Sequence, residues 1–232
     1  MSHPTRLAEL VSPQVAASEP RLLLVPLGSF EQHGGHLPFD TDTRVAVAVA
    51  EKLAAGRADI VVAPALPYGA SGEHQGFGGT LSLGTQALHT VIVELARSLG
   101  PEFKGLVLLS FHGGNADAVR SAVTQLRAEG HHVTAVIPTV AAGDAHAGRT
   151  ETSIMLALDP GAVRGEAARP GDTRPLDELM PELRRGGLKA VTESGVLGDP
   201  AGASAEQGRV LLDELVATAT AQLEHWLEEE TP

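Results

Sequence analysis

From Gly28 to Asp42 the chain reads GSFEQHGGHLPFDTD, which sets Glu31, His33, His36, Asp40 and Asp42 directly after the apolar run RLLLVPL. Two later blocks do the same at the ends of other apolar runs: SFHGGN carries His112, and GDAHAGRTETS carries Asp144, His146 and Glu151. In a chain without cysteine, imidazole and carboxylate are the donors left for a divalent metal. Glu31 and His33 are two apart, so an extended segment sends both side chains off one face, about 6.6 Å apart along the chain. That spacing suits two neighbouring ions better than one tight chelate. Paired hydrolytic metals sit about 3.5 to 4 Å apart, and Asp42, returning after a turn, can bridge them. His112 and Glu151 then complete one shell each, leaving positions for water and substrate as in a catalytic site.

Each residue also has an ordinary reading. A lone Glu-x-His is common in surface turns, His33 and His36 could form a hydrogen-bonded loop pair, and His112 could simply end a strand. Glu151 could only favour a helix N-terminus. Asn115 reads as the N-cap of the helix after it, and Gly34, Gly35, Gly113 and Gly114 as turn glycines that also admit a ligand close to the backbone. His3, His131, His132 and His225 read as surface residues. The metal reading gains its force from three separate blocks that share one chemistry.

The elements that must position these blocks are legible from hydrophobic pattern. Leu22 to Leu27, Ile60 to Ala65, Leu106 to Phe111 and Val133 to Ile137 are near-continuous apolar runs, as expected of strands buried on both faces of a parallel sheet. Helical stretches lie between them at Thr43 to Ala55, Thr85 to Leu99 and Ala116 to Glu129. The alternation predicts an α/β sandwich with a mostly parallel sheet, whose ligands bind outside the carboxyl ends of the strands. A short helix is expected at Thr152 to Leu158, stopped by Asp159-Pro160. Gly161 to Ala203 is rich in glycine and proline and reads as loop, suited to a lid or an oligomer contact. A last helix starts at Ser204, with Ser204 and Gln207 as a capping box and Leu212, Val216, Ala219, Leu223 and Leu227 as its apolar stripe.

Composition narrows the function classes. The chain has 232 residues, 43% of them hydrophobic, enough for one well-buried domain over residues 1–232. A net charge of −12 argues against nucleic acid as a partner. No apolar run nears the roughly 18 residues of a membrane span, and no signal peptide is visible, so a cytoplasmic protein is expected. A non-catalytic nucleotide-binding module is the alternative of another class, but neither a dinucleotide fingerprint nor a P-loop pattern is present.

GSFEQHGGHLPFDTD, GEHQGFGGT from Gly72 to Thr80, SFHGGN, HAGRTETS and GVLGDPAGASAEQG from Gly195 to Gly208 together resemble the creatininase family of metal-dependent amidohydrolases, in order across most of residues 22–228. The resemblance implies a three-layer α/β/α sandwich, usually assembled into homo-oligomers. It implies that Glu31, Asp42 and His112 hold one ion, that His33, Asp42 and Glu151 hold the other, and that His146 is the active-site histidine. Two departures stand out. Creatininase has a glutamate ligand two residues after the histidine matching His112, where this chain has Gly114. It also covers its substrate with loop tryptophans, whereas the only tryptophan here is Trp226. Creatinine is therefore not the expected substrate. Within the family, the compact length and the block HAGRTETSIMLALDP most resemble a branch of peptidases that removes a modified C-terminal Val-Tyr dipeptide unit from a ribosomally made precursor. The formamide hydrolases of flavin and deazaflavin biosynthesis are the runner-up branch.

Both branches cleave a C–N amide bond. Two bound divalent ions, zinc, Fe(II) or manganese, would lower the pKa of water to about 7 and so supply a nucleophile at neutral pH. Glu151 or a nearby carboxylate would take the proton, and His146 would stabilise the intermediate or protonate the leaving amine. Backbone N–H groups at Gly113 and Gly114 would add oxyanion contacts.

Overall fold

The computed structural model describes residues 5–229, so His3 lies outside the described residues. Its regular elements are α1 (Ser12–Ala16), β1 (Arg21–Leu27), α2 (Thr41–Ala54), β2 (Ile60–Val62), α3 (Thr85–Arg97), β3 (Phe103–Ser110), α4 (Ala116–Ala128), β4 (Val133–Val136), α5 (Arg149–Leu158), α6 (Leu176–Gly186) and α7 (Ala205–Glu229). The four strands pair in parallel, in the order β2-β1-β3-β4. Each return to the sheet runs through a helix, because parallel neighbours cannot be joined by a tight turn.

Strand alternation builds two cores, one on each face. Leu22 and Leu24 of β1 with Val107 and Leu109 of β3 face α2, α5 and α7, meeting Val45, Val49, Ile154, Leu212 and Leu223. Leu23 and Val25 with Leu106 and Leu108 face α3 and α4, meeting Leu88, Ile92, Val119 and Leu126. The result is the three-layer α/β/α sandwich expected. Each wholly buried leucine contributes about 1.5–3 kcal/mol relative to exposure, and after Arg21 and Lys104 at their starts β1 and β3 stay apolar until Ser110 ends β3.

Several boundaries and roles differ from the expectations. Strand β2 stops at Val62 rather than Ala65, since the continuous register with β1 covers Ile60, Val61 and Val62, after which Leu66 makes only an isolated bridge to Leu27. Helix α5 begins at Arg149, three residues earlier than Thr152, because Asp144 reaches its free N-terminal amides: Oδ1 accepts from Thr150 N at 2.9 Å, and Oδ2 accepts from Arg149 N. The segment read as loop contains α6, with Pro181 inside it. Only half of the capping box forms. Ser204 Oγ accepts from Gln207 N at 3.2 Å, while the Gln207 side chain takes the Arg149 guanidinium at 2.7 Å instead. The buried stripe of α7 runs through Leu212, Leu215, Ala219, Leu223 and Trp226, leaving Val216 and Leu227 at its edge. His132 is not a free surface residue, for its ring stacks on Trp226 at 4.2 Å, and His131 is half-buried. Among the described residues, no helix is long and apolar enough to cross a membrane.

Candidate metal centre

The polar residues gather where β1 and β3 end, and three helix starts bring them together. Asp42 lies in the first turn of α2 and Glu151 in the first turn of α5, positions where the partial positive charge of a helix N-terminus favours a carboxylate. His112 follows β3, just before the short helical turn Gly113–Asn115 that leads into α4. Glu31 and His33 sit on the loop between β1 and α2, which leaves the strand at Gly28. A Cβ there would fall 2.1 Å from Thr43 Oγ1, so glycine lets the strand exit pass against the start of α2.

Two clusters of candidate metal ligands share one carboxylate. The donor atoms of Glu31, Asp42 and His112 lie within 4.8 Å of one another, and so do those of His33, Asp42 and Glu151. These are the residues that the spacing and the resemblance singled out. His112 places Nε2 3.2 Å from Glu31 Oε2 and Nδ1 3.3 Å from Asp42 Oδ2. His33 places Nε2 3.3 Å from Asp42 Oδ1 and 3.9 Å from Glu151 Oε2. Its Nδ1 lies 3.0 Å from the Glu31 carbonyl oxygen, which as an acceptor fixes the proton on Nδ1 and turns Nε2 toward the carboxylates. Ser29 Oγ donates to Asp42 Oδ2 at 2.6 Å, and Ala147 N donates to Glu151 Oε2 at 2.6 Å, so both carboxylates are held in place. Ala147 takes φ +52°, a left-handed conformation unusual for alanine, and it sits between His146 and the helix that carries Glu151.

Glu31 and His33 do not lie on an extended segment. The stretch from Gly28 to Asp40 is curled rather than a strand, with His33 bridging to both Gly35 and Leu37. The donors of Glu31, His33 and His146 therefore also come within 4.8 Å of one another. Glu31 and His33 approach more closely than two residues on one strand face would.

Glu31 tests whether a metal fits. Both of its carboxylate oxygens are buried and accept no hydrogen bond among the described residues. Imidazole nitrogens of His74 and His112 stand only 3.2 Å away, and His146 Nδ1 at 3.8 Å. A buried carboxylate without hydrogen bonds is costly unless a cation meets it. Histidines and carboxylates at these spacings are the donor set of a divalent ion.

Protonation follows the same logic. Burial pushes Glu31 up, but the charges of His112 and His74 outweigh it and hold its carboxyl at about 2. Burial likewise opposes the charged form of Asp42, yet His33 and His112 hold it well below the usual carboxylate range. Against burial, Asp42, Glu151 and Glu31 raise His33 to about 10, and Glu31 and Asp42 raise His112 well above an ordinary imidazole. In the metal-free protein two imidazolium groups thus do the neutralising that cations would do. Burial, with the charge of His33 and, once it is protonated, that of His74, drives His146 well below its ordinary value. Burial also lowers His74 to about 4 and raises Glu151 to about 7.

Several residues of the site were not singled out by sequence. His74 and Glu73 come from the short turn Gly72–His74, inside the block GEHQGFGGT that already carried the resemblance. Gln32 ties the histidines together, with its Nε2 at 3.1 Å from His74 Nδ1 and 2.9 Å from the Gly195 carbonyl oxygen that accepts from it. His36 pairs with Thr152 Oγ1 at 2.9 Å rather than with His33. Asp40 lies apart and bonds Arg44, which also reaches Asp159. Asn115 holds the N-cap position of α4 but makes no side-chain cap hydrogen bond. Its amide donates to the Gly28 carbonyl oxygen at 3.0 Å and accepts from Ala70 N at 2.8 Å, tying three loops behind the site. Trp226 lies on the buried face of α7, in the core against α2 and the sheet, and covers nothing at the metal centre.

The centre opens on a cavity of about 580 Å³ whose lining includes Glu31, Glu73, His74, His112 and His146 together with Leu176, Met180, Leu183 and Arg184 of α6. A second cavity of similar volume reaches Glu151 through Val140, Asp144 and Arg174.

The family model for creatininase, creatinine amidohydrolase, matches residues 8–223. The mycofactocin precursor peptide peptidase of Mycobacterium tuberculosis is 45% identical over 95% of this chain and 91% of its own length. Creatinine amidohydrolase of Pseudomonas putida is 28% identical over 83% of this chain and 84% of its own. A solved creatininase described with Mn superposes with a TM-score of 0.75 at 27% identity, covering 99% of this chain and 100% of that one. With the family model spanning most of the chain and a relative at this identity along nearly all of it, the chain belongs to the creatininase family.

Proposed function

We propose that the chain is a metal-dependent peptidase that hydrolyses the mycofactocin precursor peptide, releasing its modified C-terminal Val-Tyr unit. The observation that carries the hydrolase reading is the pair of buried ligand clusters sharing Asp42 at the mouth of a cavity. The substrate rests on the 45% identity to relatives of that name. In this reading Glu31, Asp42 and His112 hold one divalent ion and His33, Asp42 and Glu151 the other, and the ions are zinc, manganese or Fe(II). When bound, the ions supply an activated water and polarise the scissile carbonyl.

The chain's own residues do the rest. His146 Nε2 lies 2.9 Å from the Gln32 carbonyl oxygen, which places its proton there and leaves Nδ1 as an acceptor toward Glu31 and the cavity. The ring is neutral with Nδ1 unprotonated, and the role assigned to that nitrogen is to take a proton and return it to the leaving amine. Glu151, fixed by Ala147 N–H, serves as ligand and as the second proton acceptor. Gly113 and Gly114 line the cavity, where their N–H groups suit a developing oxyanion. The resemblance supports one domain over residues 1–232 acting as a cytoplasmic homo-oligomer. Against a nucleotide-binding module, the cavity wall carries Glu31, Glu73 and Asp117, which repel phosphate.

The test is to incubate metal-loaded protein with the modified precursor peptide and, separately, with a formamidopyrimidine, and to read both by mass. Loss of the dipeptide unit from the peptide is expected; turnover of the formamidopyrimidine alone overturns the substrate assignment.

A further inference from the structure

The buried side chain of Gln32, between Glu31 and His33 in sequence, meets two backbone groups whose polarity is fixed. Gly34 N donates to its Oε1 at 2.9 Å, and its Nε2 donates to the Gly195 carbonyl oxygen at 2.9 Å. Turning the amide over would set NH2 against N–H and oxygen against oxygen, so its orientation is settled. Gly195, at φ +79°, passes so close that a Cβ there would collide with Gln32 Oε1.

Nε2 has a second proton to give and two imidazole nitrogens within reach, His74 Nδ1 at 3.1 Å and His146 Nε2 at 3.3 Å. His146 Nε2 also lies 2.9 Å from the Gln32 carbonyl oxygen, which can only accept, so that nitrogen carries a proton and cannot accept another. The second amide proton therefore goes to His74 Nδ1. An imidazole that accepts at Nδ1 is neutral and holds its proton on Nε2. His74 Nε2 stands 3.2 Å from Glu31 Oε1, nearer than His146 Nδ1 at 3.8 Å. With one nitrogen bonded to Gln32 and the other protonated, the ring has no lone pair left for an ion. The donor clusters found among the described residues leave His74 out as well, although it is buried beside Glu31.

We propose that His74 is a positioning residue and not a metal ligand: its Nε2–H edge steadies the Glu31 carboxylate, and the Gln32 amide fixes the proton there. The inference rests on the metal reading of Glu31 and is independent of the substrate. One glutamine thus sets the protons of two histidines, that of His74 through its side chain and that of His146 through its carbonyl. The two oxygens of Glu31 are divided accordingly, Oε1 facing His74 and Oε2 facing His112 at 3.2 Å. A donor beside a ligand carboxylate orients it before an ion arrives.

The test reads the imidazole nitrogens by magnetic resonance in zinc-loaded protein carrying isotope-labelled histidine, with His74→Gln identifying the His74 signals by their loss. Nε2 of His74 is expected to be protonated and Nδ1 bare, with neither bound to zinc. In Gln32→Glu, whose carboxylate can only accept, Nδ1 should become protonated. A wild-type His74 with a proton on Nδ1 or a zinc-bound nitrogen, or an Nδ1 that stays bare in Gln32→Glu, overturns the proposal. Metal affinity, read by competition with a chelator, is the second measurement. His74→Ala should weaken it about 10–100-fold, the usual cost of losing a partner of a ligand, with the metal equivalents at saturation unchanged. His74→Gln keeps an N–H for Glu31 and should recover most of that loss. Wild-type affinity in His74→Ala, a lost equivalent of metal, or no recovery in His74→Gln overturns the proposal. Should wild type bind no ion, the metal reading falls and the role of His74 beside a ligand falls with it. Signals and affinities as expected in a protein that cleaves no peptide support the proposal and overturn the peptidase reading instead.

Discussion

The Glu73 carboxylate stands in the space above Gly114: a Cβ on Gly114 would lie 2.4 Å from Glu73 Oε1, and 2.3 Å from the Ala70 carbonyl oxygen. Glu73 Oε1 is also 3.4 Å from His112 Nε2. Creatininase has a glutamate at the position of Gly114, whereas here a carboxylate arrives from another loop and any side chain at residue 114 is excluded. Gly114→Ala must displace backbone as well as Glu73, and is expected to destabilise by about 1–3 kcal/mol. Adding Glu73→Gly should not restore the loss, since the Ala70 oxygen remains. Thermal unfolding of the single and double variants checks this, and full recovery in the double variant would show that Glu73 alone sets the clash.

Asp42 belongs to both ligand clusters, so Asp42→Ala should remove both ions. Elemental analysis of the purified variant is the measurement. Two equivalents of metal retained per chain would sink the shared-ligand assignment.

His146→Ala should lower kcat by about 10²–10⁴, the usual span for losing a proton-transfer group, while metal content stays unchanged. The donors of His146 also lie within 4.8 Å of those of Glu31 and His33. Loss of an ion in this variant would move His146 from proton transfer into the ligand set.

Chelation should abolish hydrolysis, with zinc, manganese or Fe(II) restoring it, and should leave a protein whose stability depends on pH. His33 is raised from 6.5 to about 10, so its contribution is complete below 6.5 and lost as pH rises through about 10. Glu31 is depressed from 4.5 to about 2, so its contribution is present above 4.5 and lost as pH falls through about 2. The unfolding temperature of chelated protein should therefore drop between pH 6.5 and 10, with a smaller drop after metal loading. Metal binding near neutral pH should also release protons, because a ligating imidazole must give one up. Calorimetry in buffers of different ionisation enthalpy measures that release, and its absence would contradict a charged His33.

Asp144 caps α5 from outside the helix, through Arg149 N and Thr150 N. Asp144→Ala should cost about 1 kcal/mol, as cap removal does. It should also weaken metal binding, because Glu151 rides on that first turn. Unchanged thermal stability would mean that the cap contributes nothing.

Sequence by itself determined the layers and the chemistry. The runs Leu22 to Leu27 and Leu106 to Phe111 are apolar at successive positions, and only a strand covered on both faces satisfies that pattern. Glu31, His33, Asp42, His112 and Glu151 were visible because each follows such a run or opens the helix after it, where an α/β sheet presents its ligands. Tertiary structure alone decided the rest. Asn115 looks like a cap by local rules, but its amide is taken by Gly28 and Ala70, which lie far away in sequence. Gln207 looks like half of a capping box until Arg149 claims it. His74 and Glu73 carry no distinguishing spacing, and they join the centre only because the turn Gly72–His74 folds back over His112. Hydrophobic periodicity is a local property and survives in the sequence. The choice among several hydrogen-bonding partners depends on which loops meet in space, and that is settled only when the chain has folded.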